Sequence, residues 1–243
     1  MYNPDSKTKE ILDVAMGTIK SVPYAVSLRW VFYQIVQRHG VQKSYWDSFK
    51  KITSRARKNF YGEWNPGTTQ DSVRDFYDYA FPRKARKAVS DHIEGQKNYV
   101  EIWFEARAML EQFIYHTRDY RANLLPFGGD VSIPIKWDTA MRFRRVKNDY
   151  KLPIVVLYFG DLDKKGEQIR KVAEKDIRKW ANVNFKLVYC GLTASQAKGF
   201  KIPENPEKPG EYQWEALSDE HAKEMIVGNL KKVWKAQQTK RTF

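Results

Sequence analysis

Two aspartates one residue apart, Asp161 and Asp163, follow directly on the apolar run Ile154-Val155-Val156-Leu157-Tyr158-Phe159 and its stop at Gly160. Six consecutive apolar residues, rich in β-branched and aromatic types and followed by a long amphipathic stretch, predict a buried parallel strand feeding a helix. The aspartates then lie at the strand's carboxyl end, the edge at which open α/β sheets bind ligands. Asp-x-Asp brings two hard oxygen donors into one small space, where mutual repulsion demands a cation. The same tripeptide equally reads as an acidic turn capping the next helix, because aspartate is common at helix starts. An earlier strand ends Trp103-Phe104-Glu105. In a parallel sheet that ending shares the edge, so Glu105 can close an acidic triad with Asp161 and Asp163, a constellation suited to Mg2+. Glu101 falls on the same strand face but farther from the edge, and is expected to be structural.

The elements that must place these residues alternate. Tyr99 to Glu105 reads as a strand, Ala106 to His116 as a helix and Asn123 to Phe127 as a strand; a Gly128-Gly129 loop and a helix to about Tyr150 precede the Asp-x-Asp strand. A helix from Lys164 to Ala181 and a strand ending at Cys190 follow, and alternation of this kind means a mainly parallel sheet with helical crossovers. The N-terminal part has a different texture. Helical spacing covers residues 6 to 20, then Ala25 to His39 with Gly40 as its stop, then Ser44 to about Phe60. Two further helical stretches broken by Pro82 come after the turn cluster Tyr61-Gly62-Glu63-Trp64-Asn65-Pro66-Gly67. Three helices, the third basic, with a turn-rich segment behind them, suggest a winged-helix-like module. The expected division is an N-terminal helical arm (1–22), a winged-helix-like DNA-binding module (23–95), an α/β domain (96–202), and a proline-rich loop with a C-terminal helix (203–243).

Composition narrows the partners. The chain has 243 residues, 42% of them hydrophobic, and 43 Lys plus Arg against 29 Asp plus Glu give a formal net charge of +14. That is enough apolar material for a real core, and the charge points to a polyanion, nucleic acid before membrane. No apolar run approaches the roughly 20 residues of a spanning helix, and the first seven residues hold no apolar signal core, so an intracellular protein, cytoplasmic or nucleoid-associated, is expected. The single cysteine, Cys190, excludes an internal disulfide and a thiolate zinc site, and His39, His92, His116 and His221 show no metal-ligand spacing.

A glutamate closing one strand and an Asp-x-Asp closing a later one, with a helix between, resembles the Toprim domain of topoisomerases, primases and related nucleases. Upstream, Ser27-x-Arg29-x-x-Phe32-Tyr33 is similar to the Ser-x-Arg-x-x-Tyr-Tyr helix of the topoisomerase VI A subunit and the related meiotic double-strand-break protein. The resemblance runs over roughly residues 20 to 200, in a chain that looks like the compact stand-alone relatives of prokaryotes and their viruses. It implies a winged-helix-like module joined to a Rossmann-like Toprim domain, Tyr33 as nucleophile, Arg29 as its helper, and Glu105, Asp161 and Asp163 as Mg2+ ligands. It further implies double-stranded DNA as substrate, a homodimer that cuts both strands through 5′-phosphotyrosyl links, and a separate subunit for any ATP-driven step. Two departures stand out: Phe32 replaces the first tyrosine, and Lys164-Lys165-Gly166 stands where the family often has Asp-Pro-x-Gly.

The residues carry their own chemical logic. A phenol of pKa about 10 needs a neighbouring positive charge or base to act near neutrality, and Arg29 lies one helical turn before Tyr33 on the same face. Arg and Tyr at this spacing also fit an ordinary half-buried pair. Lys50, Lys51, Arg55, Arg57 and Lys58 of the third helix are candidate phosphate contacts, with Arg83-Lys84-Ala85-Arg86-Lys87 and Arg142-Phe143-Arg144-Arg145 as further cationic patches. Two other functions fit the same residues: a hydrolytic Toprim nuclease in which Tyr33 is structural, and a DNA-binding protein without catalysis.

Overall fold

A computed structural model describes residues 2–23, 26–69, 93, 95–120, 122–202, 204 and 208–234. It divides into two compact units, Met1–Val73 with Ser132–Asp138, and Arg74–Val131 with Thr139–Phe243. The helical stretches expected around Pro82 and the Arg83–Lys87 patch lie outside the described residues.

In the first unit, α1 (Ser6–Lys20) starts where the Asp5 carboxylate accepts the Thr8 N–H at 2.8 Å, and α2 (Leu28–His39) starts at a Ser27 cap and stops at Gly40 in the left-handed conformation. A short 3-10 turn leads into α3 (Trp46–Lys58). One apolar cluster joins the three helices: Leu12 and Ala15 of α1, Phe32 and Ile35 of α2, and Phe49 and Ala56 of α3 are all buried. Phe32 packs against Trp46 and Phe49 with ring centres 5.1 and 5.2 Å away. Phenylalanine at this position therefore serves the core, where a phenol would need a buried hydrogen-bond partner.

The second unit is α/β and Rossmann-like. Four strands, β1 (Tyr99–Phe104), β2 (Asn123–Pro126), β3 (Ile154–Phe159) and β4 (Lys186–Tyr189), pair in the order β2-β1-β3-β4, every pair parallel. β1 and β3 are buried along their whole length, β3 as its continuous apolar run predicts and β1 although it carries Glu101. Helices cover both faces. Trp103 stacks on Phe143 of α5 (Ile133–Asp149) on one face, and Phe104 stacks on Phe113 of α4 (Leu110–Thr117) on the other, at 6.1 and 4.3 Å. α6 (Lys164–Ala181), a short α7 (Ala194–Gly199) and α8 (Asp219–Val233) complete the unit. α7 has six residues, too few for its periodicity to register in the sequence.

The order β2-β1-β3-β4 makes the gap between β1 and β3 the point where the chain switches direction across the sheet. In open α/β sheets, ligands bind at the carboxyl ends of the strands at such a point. The ladder continues past β1, because Glu105 N–H donates to the Phe159 carbonyl at 3.1 Å and the Glu105 carbonyl accepts from Gly128 N–H at 2.9 Å.

Glu101 anchors β1 from within. It is fully buried and accepts from Arg142 Nε (2.6 Å) and Nη2 (3.1 Å), the Tyr99 hydroxyl (2.8 Å) and Trp103 Nε1 (2.9 Å). Burial opposes the charge on Arg142, and the Glu101 carboxylate more than restores it, raising the guanidinium above its usual range. Arg142 is thereby committed to the core. Arg144 donates to the carbonyls of Trp180 and Ala181, the last two residues of α6, so it caps that helix. Replacing Arg142 by Met should leave Glu101 buried and unpaired and lower stability in urea unfolding by about 3–5 kcal/mol. The double variant Glu101→Gln, Arg142→Met should recover a large part of that loss.

Candidate metal centre

Glu105, Asp161 and Asp163 converge. One carboxylate oxygen from each lies within 4.8 Å of the others, and all three side chains are partly buried. A cation about 2.0–2.6 Å from each ligand spans about 4–5 Å between opposite oxygens, so the three fit the shell of one ion.

Each carboxylate is placed by different local chemistry. Asp163 is the N-cap of α6, its Oδ1 accepting from Gly166 N–H at 2.6 Å. The capping role and the acidic cluster thus coexist in one residue. Asp161 Oδ1 accepts from the backbone N–H of Trp214 at 2.8 Å. The segment that supplies this donor is clamped beside it, since Leu162 and Tyr212 form an antiparallel bridge with N–H···O distances of 2.9 and 3.2 Å. Trp214 is itself buried against Phe113 and Phe159, with its indole N–H donating to Gln112 at 3.0 Å.

Glu105 is the strained member. Its Oε2 is buried without a hydrogen-bond partner. Two glycines make room for it: a Cβ at Gly160 would stand 3.1 Å from Oε2, and one at Gly166 would overlap it. Burial first, then the charges of Asp161 and Asp163, push the Glu105 carboxyl up to about 7, with the Asp161 backbone N–H and Lys165 pulling the other way. An orphaned buried oxygen in a glycine cradle, facing two more carboxylates, suits a divalent cation. The all-oxygen donor set selects a hard one. Burial also pushes the Tyr189 phenol up to about 12, and its hydroxyl donates to the carbonyls of Asp161 and Leu192, both at 3.2 Å, which braces the same loop.

The expected nucleophile pair lies in the first unit. Tyr33 is 40% exposed on α2, and the Arg29 guanidinium carbon lies 6.0 Å from its ring centre. The phenol is open to solvent. The candidate phosphate contacts of α3 divide. Lys51 and Arg55 are exposed, Arg55 standing over the Tyr2 ring at 5.3 Å, while Lys50 pairs with Asp47 at 2.8 Å. Lys58 is half-buried. Arg57 is not presented to a ligand: it is buried, with Nη1 donating to the Thr69 hydroxyl at 2.9 Å and Nε to the Thr53 carbonyl at 3.3 Å. Burial pulls its guanidinium down to about 10.

Sequence reasoning missed the Trp214 amide, the Gly160 and Gly166 clearances and the Tyr189 brace. Only the glycines left a signal, as small residues flanking Asp-x-Asp. No protein-family model matches the chain, and no curated protein matches it.

Two predictions follow from this geometry. Gly166→Ala should weaken Mn2+ binding at least about tenfold in calorimetry, because the added methyl displaces Glu105. It should do so although alanine is about 1 kcal/mol the better helix residue. The second concerns pH. A carboxyl whose folded pKa lies above its unfolded value favours the fold below the unfolded value, near 4.5, and that advantage is lost as pH rises through about 7. Metal-free protein should therefore lose stability between those values, and Mn2+ affinity should fall about tenfold per pH unit below about 7, with about one proton released on binding. Melting curves with and without Mn2+ at a series of pH values check both halves.

Proposed function

We propose that this chain is a magnesium-dependent DNA strand transesterase, similar to the topoisomerase VI A subunit, with a winged-helix-like first unit and a Toprim second unit. The observation that carries the reading is the gathering of Glu105, Asp161 and Asp163 at the β1/β3 switch point with one glutamate oxygen buried and unpartnered. A solvent-open Tyr33 beside Arg29 on α2 supports the tyrosine arm of it.

In the proposed step the Tyr33 oxygen bonds to the scissile phosphorus as the bond from phosphorus to the 3′ oxygen breaks. The phenol proton leaves to solvent or base, and the 3′ oxygen departs with the electron pair of the broken bond and takes a proton from solvent to become a hydroxyl. Arg29 holds positive charge against the developing phenolate and the phosphate. Glu105, Asp161 and Asp163 would hold Mg2+, which when bound would supply charge stabilisation to the phosphate and the leaving oxygen. The product is a 5′-phosphotyrosyl link, whose reversal reseals the strand. Cutting both strands requires two Tyr33 side chains, hence a homodimer, and a strand-passage cycle driven by ATP would draw on a separate subunit.

The test turns on one oxygen atom. Wild-type protein incubated with supercoiled DNA and Mg2+, then denatured with detergent, should carry DNA covalently attached to its chain. Tyr33→Phe should keep DNA and metal binding and lose the adduct. Cleavage that persists in Tyr33→Phe without any adduct would instead assign hydrolysis by the metal centre. Absence of cleavage and adduct from the wild type would sink the catalytic reading.

A further inference from the structure

α6 leaves the metal edge with an uneven distribution of charge. Lys164, Lys171, Lys175 and Lys179 are all exposed and follow helical spacing along one face. Among the exposed positions of α6 the one acid is Glu167, paired with Lys171 at 2.6 Å. Glu174 is drawn inward by Arg170 and Arg178. Lys164, Gln168, Lys171 and Lys175, with Glu167 and Val172, line a shallow groove of about 350 Å³. The first turn, Lys164-Lys165, carries two cations at the positive end of the helix dipole, a placement that helix energetics disfavour. Something other than helix stability accounts for them.

We propose that this lysine face is a track for the sugar-phosphate backbone of DNA, running outward from the acidic centre. The proposal rests on the reading of the chain as a DNA-cleaving protein and names where the second unit holds its substrate. Asp163, a ligand of the centre, is followed immediately by Lys164, so a strand whose phosphate lies at the carboxylates meets the track at its first residue. From Lys164 to Lys179 the helix rises about 22 Å at about 1.5 Å per residue, the rise of about six phosphates along one strand of a duplex. Lysine ammonium groups on flexible stems neutralise phosphates without reading bases, so the contacts are independent of sequence. Other cationic patches are partly spoken for: Arg57 is buried, and Arg142 and Arg144 are tied to Glu101 and to the end of α6.

The experiment measures binding of a fluorescent duplex of about 30 base pairs in EDTA, by anisotropy, over about 50 to 200 mM KCl. Changing Lys164, Lys171, Lys175 and Lys179 together to Gln should reduce the slope of log K against log salt by about two to four units, at about 0.9 per lost contact. It should leave the melting temperature in place, because all four side chains are exposed. Arginine at the same four positions should retain the slope. A matched variant with Gln at the exposed Lys198, Lys223, Lys231 and Lys232 loses the same net charge and should change the slope by less than about one unit. A slope unchanged in the α6 variant, or equal losses in the two Gln variants, would overturn the track. A wild-type protein that shows no salt-dependent binding would overturn the DNA reading as a whole.

Discussion

Confinement of three carboxylates at one sheet edge is the constraint on which this protein's second unit depends. Like charges within 4.8 Å of one another, one of them partly buried with an unpartnered oxygen, raise the free energy of the apo fold unless a proton or a cation joins them. The surrounding structure is organised to hold that arrangement. β1 and β3 run parallel and in register from Tyr99↔Ile154 to Phe104↔Phe159, so their ends arrive together. Glu101 and Arg142 lock β1 from its buried middle, and backbone pairing carries the ladder through Glu105 itself. Gly166 is a consequence of the same crowding, since a Cβ there would occupy the space the glutamate oxygen needs, and Gly160 leaves it a tight approach.

The two units divide the proposed chemistry between electrostatics and nucleophile. The carboxylates belong to the α/β unit and would, in that reading, set the charge at the phosphate, while Tyr33 and Arg29 belong to the three-helix unit and offer a phenol beside a guanidinium. Phe32 illustrates how the two roles on α2 are kept apart by helix geometry alone. Adjacent residues point about a quarter turn apart, so Phe32 enters the core while Tyr33 remains open to solvent.

The fold of the α/β unit was legible because its determinants are local. β3 is a continuous apolar run, β1 is apolar apart from Glu101, α6 is strongly amphipathic, and the acidic residues of the centre stand at strand ends where parallel pairing must bring them together. The mixed outcome for α3 has a physical reason as well. Arg57 follows Phe49 and Thr53 at four-residue spacing and so falls on their buried face, a position that composition obscures because Arg55 and Lys58 stand beside it. The Trp214 amide was beyond reach for a different reason. A backbone N–H belongs to every residue but proline, and what makes this one matter is a chain crossing some fifty residues downstream of Asp161. The capping use of Arg144 likewise depends on tertiary placement that no periodicity records, whereas the short α7 announces itself only by its Thr193–Gln196 capping box.

The bridge between Leu162 and Tyr212 also has a meaning in time. During synthesis the chain emerges from its N-terminus, so Glu105, Asp161 and Asp163 are all present well before Tyr212 and Trp214 exist. Until those residues arrive, there is no Trp214 N–H for the Asp161 carboxylate to accept from, and the Asp-Leu-Asp loop lacks its antiparallel partner. The acidic centre therefore takes its final shape only after all three of its carboxylates have been in place for some fifty residues of synthesis. A nascent chain stopped before Tyr212 would carry every ligand and still lack the clamp that arranges them.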